Sequence, residues 1–182
     1  MNLWINAIFY QATWLISIGG AARGWWWAGP VAFVAFAAWQ LAVSTQRRAD
    51  ALLVAYAAAI GFVIDSAFAQ THLIDYSAAM PWPHFAPGWI VALWMSFALT
   101  LNHSLSYLKT HALVAATLGA IGAPLAYLAA AQWGALAFPA ASAPALLMLA
   151  AGWAVITPVL CRLAQILSQR APATLAFHGG PR

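Results

Sequence analysis

From Pro87 to Leu108 the chain reads PGWIVALWMSFALTLNHSLSYL, 22 residues without a carboxylate, lysine or arginine. As a helix rising about 1.5 Å per residue, this stretch matches the ~30 Å hydrocarbon core of a bilayer. Ser96, Thr100, His103 and Tyr107 follow at spacings of four, three and four, which stacks them on one helical face. That face is expected to look into protein. The opposite side, with Ile90, Leu93, Phe97, Leu101 and Leu108, is expected to meet lipid or an apolar neighbour.

Composition supports the same class. Hydrophobic residues make up 65% of the 182-residue chain and charged residues 5%, against about 25% charged in an ordinary soluble domain. Glutamate is absent and the formal net charge is +4, but the cations do not cluster, so no nucleic-acid partner is read. They read instead as topology signals at helix ends. The single cysteine, Cys161, forbids an intrachain disulfide and reads as packing in the last apolar run.

Six apolar runs predict an all-α polytopic transmembrane bundle in one domain, with helices over about 3–19, 25–44, 51–70, 87–108, 112–131 and 143–167. No cation precedes the first run, so it reads as a retained helix and not as a secretory signal. Trp25, Trp26 and Trp27 open the second, with Pro30 in its first turn, where proline is tolerated. Gln46-Arg47-Arg48-Ala49-Asp50 reads as a cytoplasmic loop. Thr71 to Ala86, with Pro81 and Pro83, is expected to be an irregular external loop. Residues 171–182 read as a disordered tail. The tryptophans at 25 to 27, 82, 89 and 133 fall on the external side and predict an interfacial belt.

With both termini cytoplasmic, Arg47, Arg48, Lys109, Arg162, Arg170 and Arg182 lie inside and only Arg23 outside. The reversed orientation inverts that ratio, so the cations favour cytoplasmic termini, with Arg23 an exception that the rule does not explain.

Several polar residues fall inside apolar runs. Counting about 1.5 Å per residue from the cytoplasmic helix ends puts Asp65 roughly 21 Å up and His103 roughly 8 Å up, too far apart to pair. Asp65 should lie level with Ser17 and with Trp94 or Ser96, whose indole N–H or hydroxyl could donate to it. His103 should lie level with Asn6, Tyr56 and Thr117, with Gln11 and Thr100 a turn higher, as an inner polar cluster; Asn102 and Ser104 are further candidate polar positions. An ionisable group at mid-membrane needs a reason, whereas buried amides and hydroxyls are common interhelical partners. Gly119, Gly122 and Pro124 mark the fifth run as a tight helix crossing, either within the bundle or between two copies. No metal set is read in the core. His72, Asp75 and His84 form only a weak zinc pattern in the external loop, and no cofactor fingerprint is present.

Asn6 with Gln11 and Trp14, Pro87-x-Trp89 running to Trp94-x-x-Phe97-Ala98-x-Thr100-Leu101-x-x-Ser104-Leu105-x-Tyr107-Leu108, and Gly122-Ala123-Pro124-Leu125-x-Tyr127 leading to Gly134-Ala135 resemble the Domain of Unknown Function 2878 family. These are short bacterial inner-membrane proteins. The resemblance covers most of the chain, with mild departures at Ala123, where glycine is expected, and Tyr107, where tryptophan is expected. It supplies no activity, and implies a companion of lipid-modifying systems, including fatty-acyl cyclopropanation and photo-oxidative stress responses. Three readings follow: an accessory inner-membrane component for lipid modification or handling, in contact with the bilayer and other membrane proteins; a small transporter or proton-coupled permease using Asp65; and an intramembrane enzyme with His103 as base. The accessory reading ranks first because no nucleophile, metal set or cofactor site accompanies the polar residues.

Overall fold

The computed structural model describes residues 3–139 and 142–169, so the expected disorder of 171–182 lies outside the described residues. The chain is all-α, with α1 (Leu3–Ala21), α2 (Ala28–Val43), α3 (Arg47–Gln70), α4 (Gly88–Leu101), α5 (Ala112–Gln132) and α6 (Ser142–Gln169). A short 3-10 helix covers Ser106–Thr110. Three helices, α3, α5 and α6, are long and apolar enough to cross a membrane; α2 and α4 are shorter apolar helices.

The expected 22-residue fourth helix is overturned, since α4 has 14 residues and a length of only about 21 Å. Its end follows from local competition for hydrogen bonds. Asn and Ser side chains offer partners outside the helical ladder, and here Asn102 donates to Asp50 while the Ser104 amide and hydroxyl reach Asn6. The backbone turns over at Thr100, whose carbonyl accepts from both His103 N and Leu105 N. Tyr107 therefore leaves the predicted polar face. It is exposed and stacks on His111 with ring centroids 3.8 Å apart.

Helix α4 is the centre of the bundle, packed by α1, α2, α3 and α6. Neighbours cover both its sides: Leu101, expected on the lipid side, is fully buried, and Ile90 and Phe97 are buried as well. Trp89 likewise leaves the expected interfacial belt. It is fully buried and its indole donates to the Ser77 carbonyl at 3.0 Å, whereas Trp25, Trp27, Trp82 and Trp133 are exposed.

Helix α3 begins at Arg47, four residues before the expected start, so Asp50 lies in its first turn and not in a loop. A carboxylate suits that position because it faces the positive end of the helix dipole. The segment after α3 is more ordered than its prolines suggest. Asp75–Tyr76 (β1) pairs antiparallel with Leu136–Ala137 (β2), from the connection between α5 and α6. Ser77 adds bonds to the Ala135 and Gly134 carbonyls. Arg23 caps its own helix, donating from Nη1 to the Gly19 carbonyl at 2.7 Å, where a cation complements the helix C-terminus.

Candidate functional site

Asp65 is wholly buried in α3, and three side chains from three other segments converge on it. Trp94 Nε1 of α4 donates to Oδ2 at 2.6 Å. Tyr76 of β1 and Tyr127 of α5 both donate to Oδ1 at 2.5 Å. A carboxylate that accepts three hydrogen bonds is electrostatically provided for, and the group ties α3, α4, α5 and the ribbon to one point. Of the donors expected level with Asp65, Trp94 makes the bond. Ser17 and Ser96 instead return to their own helices, at the Thr13 and Ala92 carbonyls. Burial, and then the Asp65 charge, hold the Tyr76 phenol well above its ordinary value of 10.0, so it stays neutral and donating.

Trp94 and Tyr127 also form part of the wall of a cavity of about 320 Å³. It lies between α1 (Tyr10, Trp14), α4 and α5, with Trp153 and Thr157 of α6 behind. Helix α1 packs on α2 and α4, and α5 on α6, so α1 and α5 form opposite sides of a cleft. The wall is mostly apolar and aromatic. Trp153 stacks on Trp94 at 4.3 Å between centroids and meets Phe97 edge-on at 5.6 Å.

The glycines of α5 divide between two tasks. Gly119 is the tight crossing: a Cβ there would stand 2.3 Å from the Trp153 carbonyl oxygen and 2.4 Å from Thr157 Oγ1. Gly122 seals no helix contact within the chain, because a Cβ there would meet nothing within 4 Å; it lines the cavity. Pro124 is accommodated inside α5, which continues past it to Gln132.

At the other end of α3, two buried networks replace the single inner cluster expected. Asp50 accepts from Ser44 Oγ at 2.6 Å and Asn102 Nδ2 at 2.9 Å, and lies 3.0 Å from His103 Nε2. Asn102 Oδ1 in turn accepts from Lys109 Nζ and Ser168 Oγ. Desolvation pulls the Lys109 ammonium below its ordinary value of 10.5, against the attraction of Asp50. Beside this, Asn6 uses its whole hydrogen-bonding capacity, donating to Gln40 Oε1 and the Leu99 carbonyl and accepting from the amide and hydroxyl of Ser104.

Other expected members are elsewhere. Gln11, Tyr56 and Thr117 are exposed on helix surfaces. Thr100 is buried but bonds the Phe97 carbonyl of its own helix. Asn6, expected level with His103, bonds the neighbouring Ser104, whereas His103 itself turns to Asp50 because the helix along which its level is counted stops at Leu101. Sequence reasoning missed Asp50 for the matching reason, having placed it in a loop. It also missed Gln40, Tyr76, Tyr127, Trp153 and Thr157. One available signal for Asp50 was that it is one of only three acidic residues and lies beside a helix start.

In a second hollow, beside β1, His72 Nδ1 lies 3.6 Å from Asp75 Oδ1, and His84 lines the same hollow. Among the described residues, no three His, Cys, Asp or Glu side chains gather as a metal set. A family model described as a protein of unknown function (DUF2878) matches residues 3–159. No curated protein and no solved structure matches the chain.

Proposed function

The chain belongs to the DUF2878 family, whose description names no activity, and we propose from the geometry that it is an accessory component for handling membrane lipid. In this reading it is a six-span protein of the bacterial inner membrane with both termini cytoplasmic. The cation distribution supports that orientation. The shortness of α4 is compatible with it, because α4 is enclosed by its neighbours and presents little backbone to lipid.

The observation that carries the lipid reading is the apolar cleft between α1 and α5. A mostly apolar hollow with a few polar groups is the usual form of a small-molecule site, and α5 beside it presents Leu113, Val114, Ile121 and Leu125 outward. Hydrocarbon is the natural occupant of such a cleft. The permease reading is less well supported, because Asp65 is fully buried and already accepts three hydrogen bonds. The enzyme reading is limited by His103, whose Nε2 is engaged by Asp50.

The test is native mass spectrometry of the protein released from detergent micelles. The expected result is retention of a chain-bearing lipid by the parent protein and its loss in Gly122→Phe, which fills the cavity from a position with open space around it. Equal occupancy in both, or none in the parent, would count against the reading.

A further inference from the structure

The chain has three acidic side chains, and each is committed elsewhere. Asp50 and Asp65 are buried in their own networks, and Asp75 lies beside His72. Arg23, just past the end of α1, is exposed and has no carboxylate to pair with among the described residues. Its one hydrogen bond there runs from Nη1 to the Gly19 carbonyl. A guanidinium carries five N–H donors in a fixed fork, so most of them remain for another acceptor. Phosphate oxygens fit that fork closely.

Place in the fold narrows the anion. A Cβ on Gly19 would stand 3.4 Å from Arg23 Nη1 and 3.9 Å from Trp133 Cζ3, so the guanidinium and the indole flank one spot on α1. Trp133 closes α5, and α1 and α5 are the two sides of the apolar cleft. Arg23 therefore stands where those sides come together. Trp25 and Trp27, exposed and stacked on each other, follow it in the chain, and exposed indoles of membrane proteins collect at headgroup level.

The distances suit one kind of molecule. Of the cavity-lining residues, Trp14 on α1 and Tyr127 on α5 lie nearest this end, and from them to Gly19 and Trp133 the two helices rise about 8–9 Å. Headgroup and ester layers together add roughly 5–8 Å outside each side of the hydrocarbon core. A lipid phosphate beside Arg23 thus brings its first methylenes to the mouth of the cavity. We infer that Arg23 holds the phosphate of a phospholipid whose acyl chain runs between α1 and α5 into the cavity. The role gives a purpose to a cation on the side that the charge rule leaves poor in cations.

This inference rests on the lipid-handling reading, and equilibrium binding of radiolabelled dioleoylphosphatidylglycerol and dioleoylglycerol to the purified full chain in a neutral detergent separates the two. The expected result is saturable binding of both, with the phospholipid about tenfold tighter, the lower end of the scale for a charge-assisted hydrogen bond. Arg23→Gln removes the preference while dioleoylglycerol binding persists, and Gly122→Phe abolishes both. An unchanged melting temperature and elution volume for Arg23→Gln keep a folding defect from imitating the expected loss. Sodium chloride at about 0.5 M should shrink the preference of the parent protein itself, which tests the same contact without a variant. Soluble glycerol phosphate should leave the phospholipid bound; its displacement would assign the contact to free phosphate and overturn the inference. Equal affinity for the two lipids, or a preference that survives Arg23→Gln or salt, also overturns it and leaves the lipid reading standing. Absence of saturable binding to either lipid overturns both.

Discussion

Asp50 Oδ2 lies 3.0 Å from His103 Nε2, and this contact joins the first turn of α3 to the chain just beyond the end of α4. The two residues are 53 positions apart, and neither is more than 4% exposed. The contact closes the network that also holds Ser44 at the end of α2 and Asn102, so three segments of chain meet at one carboxylate.

Removing that carboxylate strands several donors in a buried place. Asp50→Ala is expected to destabilise the protein by about 3 kcal/mol, the lower part of the range for breaking a buried pair. His103→Ala should cost a comparable amount, and the double substitution should cost much less than the sum of the two. Reversible unfolding in mixed micelles measures all three; additive losses would show that the pair is not coupled.

At Asp65 the donors differ in what they tolerate. A phenol rotates to accept a hydrogen bond, whereas an indole N–H can only donate. Asp65→Asn is therefore expected to survive with its amide oxygen turned to Trp94, losing about 1–3 kcal/mol, while Asp65→Leu, which leaves all three donors unpaired, should lose considerably more. Equal losses in the same unfolding assay would contradict this account. In a Cys161→Ser background, Asp65→Cys should resist a membrane-impermeant thiol reagent while a cysteine replacing exposed Trp82 reacts; rapid labelling at Asp65 would revive the permease reading.

The ribbon contributes a pH dependence through Tyr76. Its phenol pKa is raised in the folded protein, principally by burial and next by Asp65, so the unfolded chain releases that proton at lower pH than the folded one. The stabilisation is complete below the ordinary value of 10.0 and is lost as pH rises through and beyond it. Tyr76→Phe should be less stable than the parent at neutral pH, and the difference should shrink above about pH 10. A constant difference across that range, followed by thermal unfolding, would falsify the assignment.

Two glycines one turn apart on α5 should respond in opposite directions to the same change. Gly119→Ala forces a methyl against the Trp153 carbonyl and the Thr157 hydroxyl, with an expected loss of about 1–3 kcal/mol from overpacking. Gly122→Ala meets open space and should gain up to about 1 kcal/mol from helix propensity. Melting temperatures of the two variants decide the matter, and a shared sign would show that the α5–α6 approach is not as drawn.

What the sequence by itself determined was local and periodic. Apolar runs of membrane length, bounded by Arg, Gly and Pro, specified the number of helices and most of their ends, because burial of a helix in an apolar medium is written into consecutive residues. The level of Trp94 with Asp65 was legible for the same reason, since rise per residue is constant along helices that do form. Only the tertiary structure decided where α4 stops, because Asn102 and Ser104 leave the helix for Asp50 and Asn6, partners far away in the chain. That one ending moved His103 to Asp50, and close packing covered Leu101, while Gln11 and Tyr56 stayed on outer surfaces. Periodicity shows which residues share a face, not what that face meets. The cavity was beyond reach for the same physical reason: it is the space left by side chains of four helices, and no single stretch of sequence contains it.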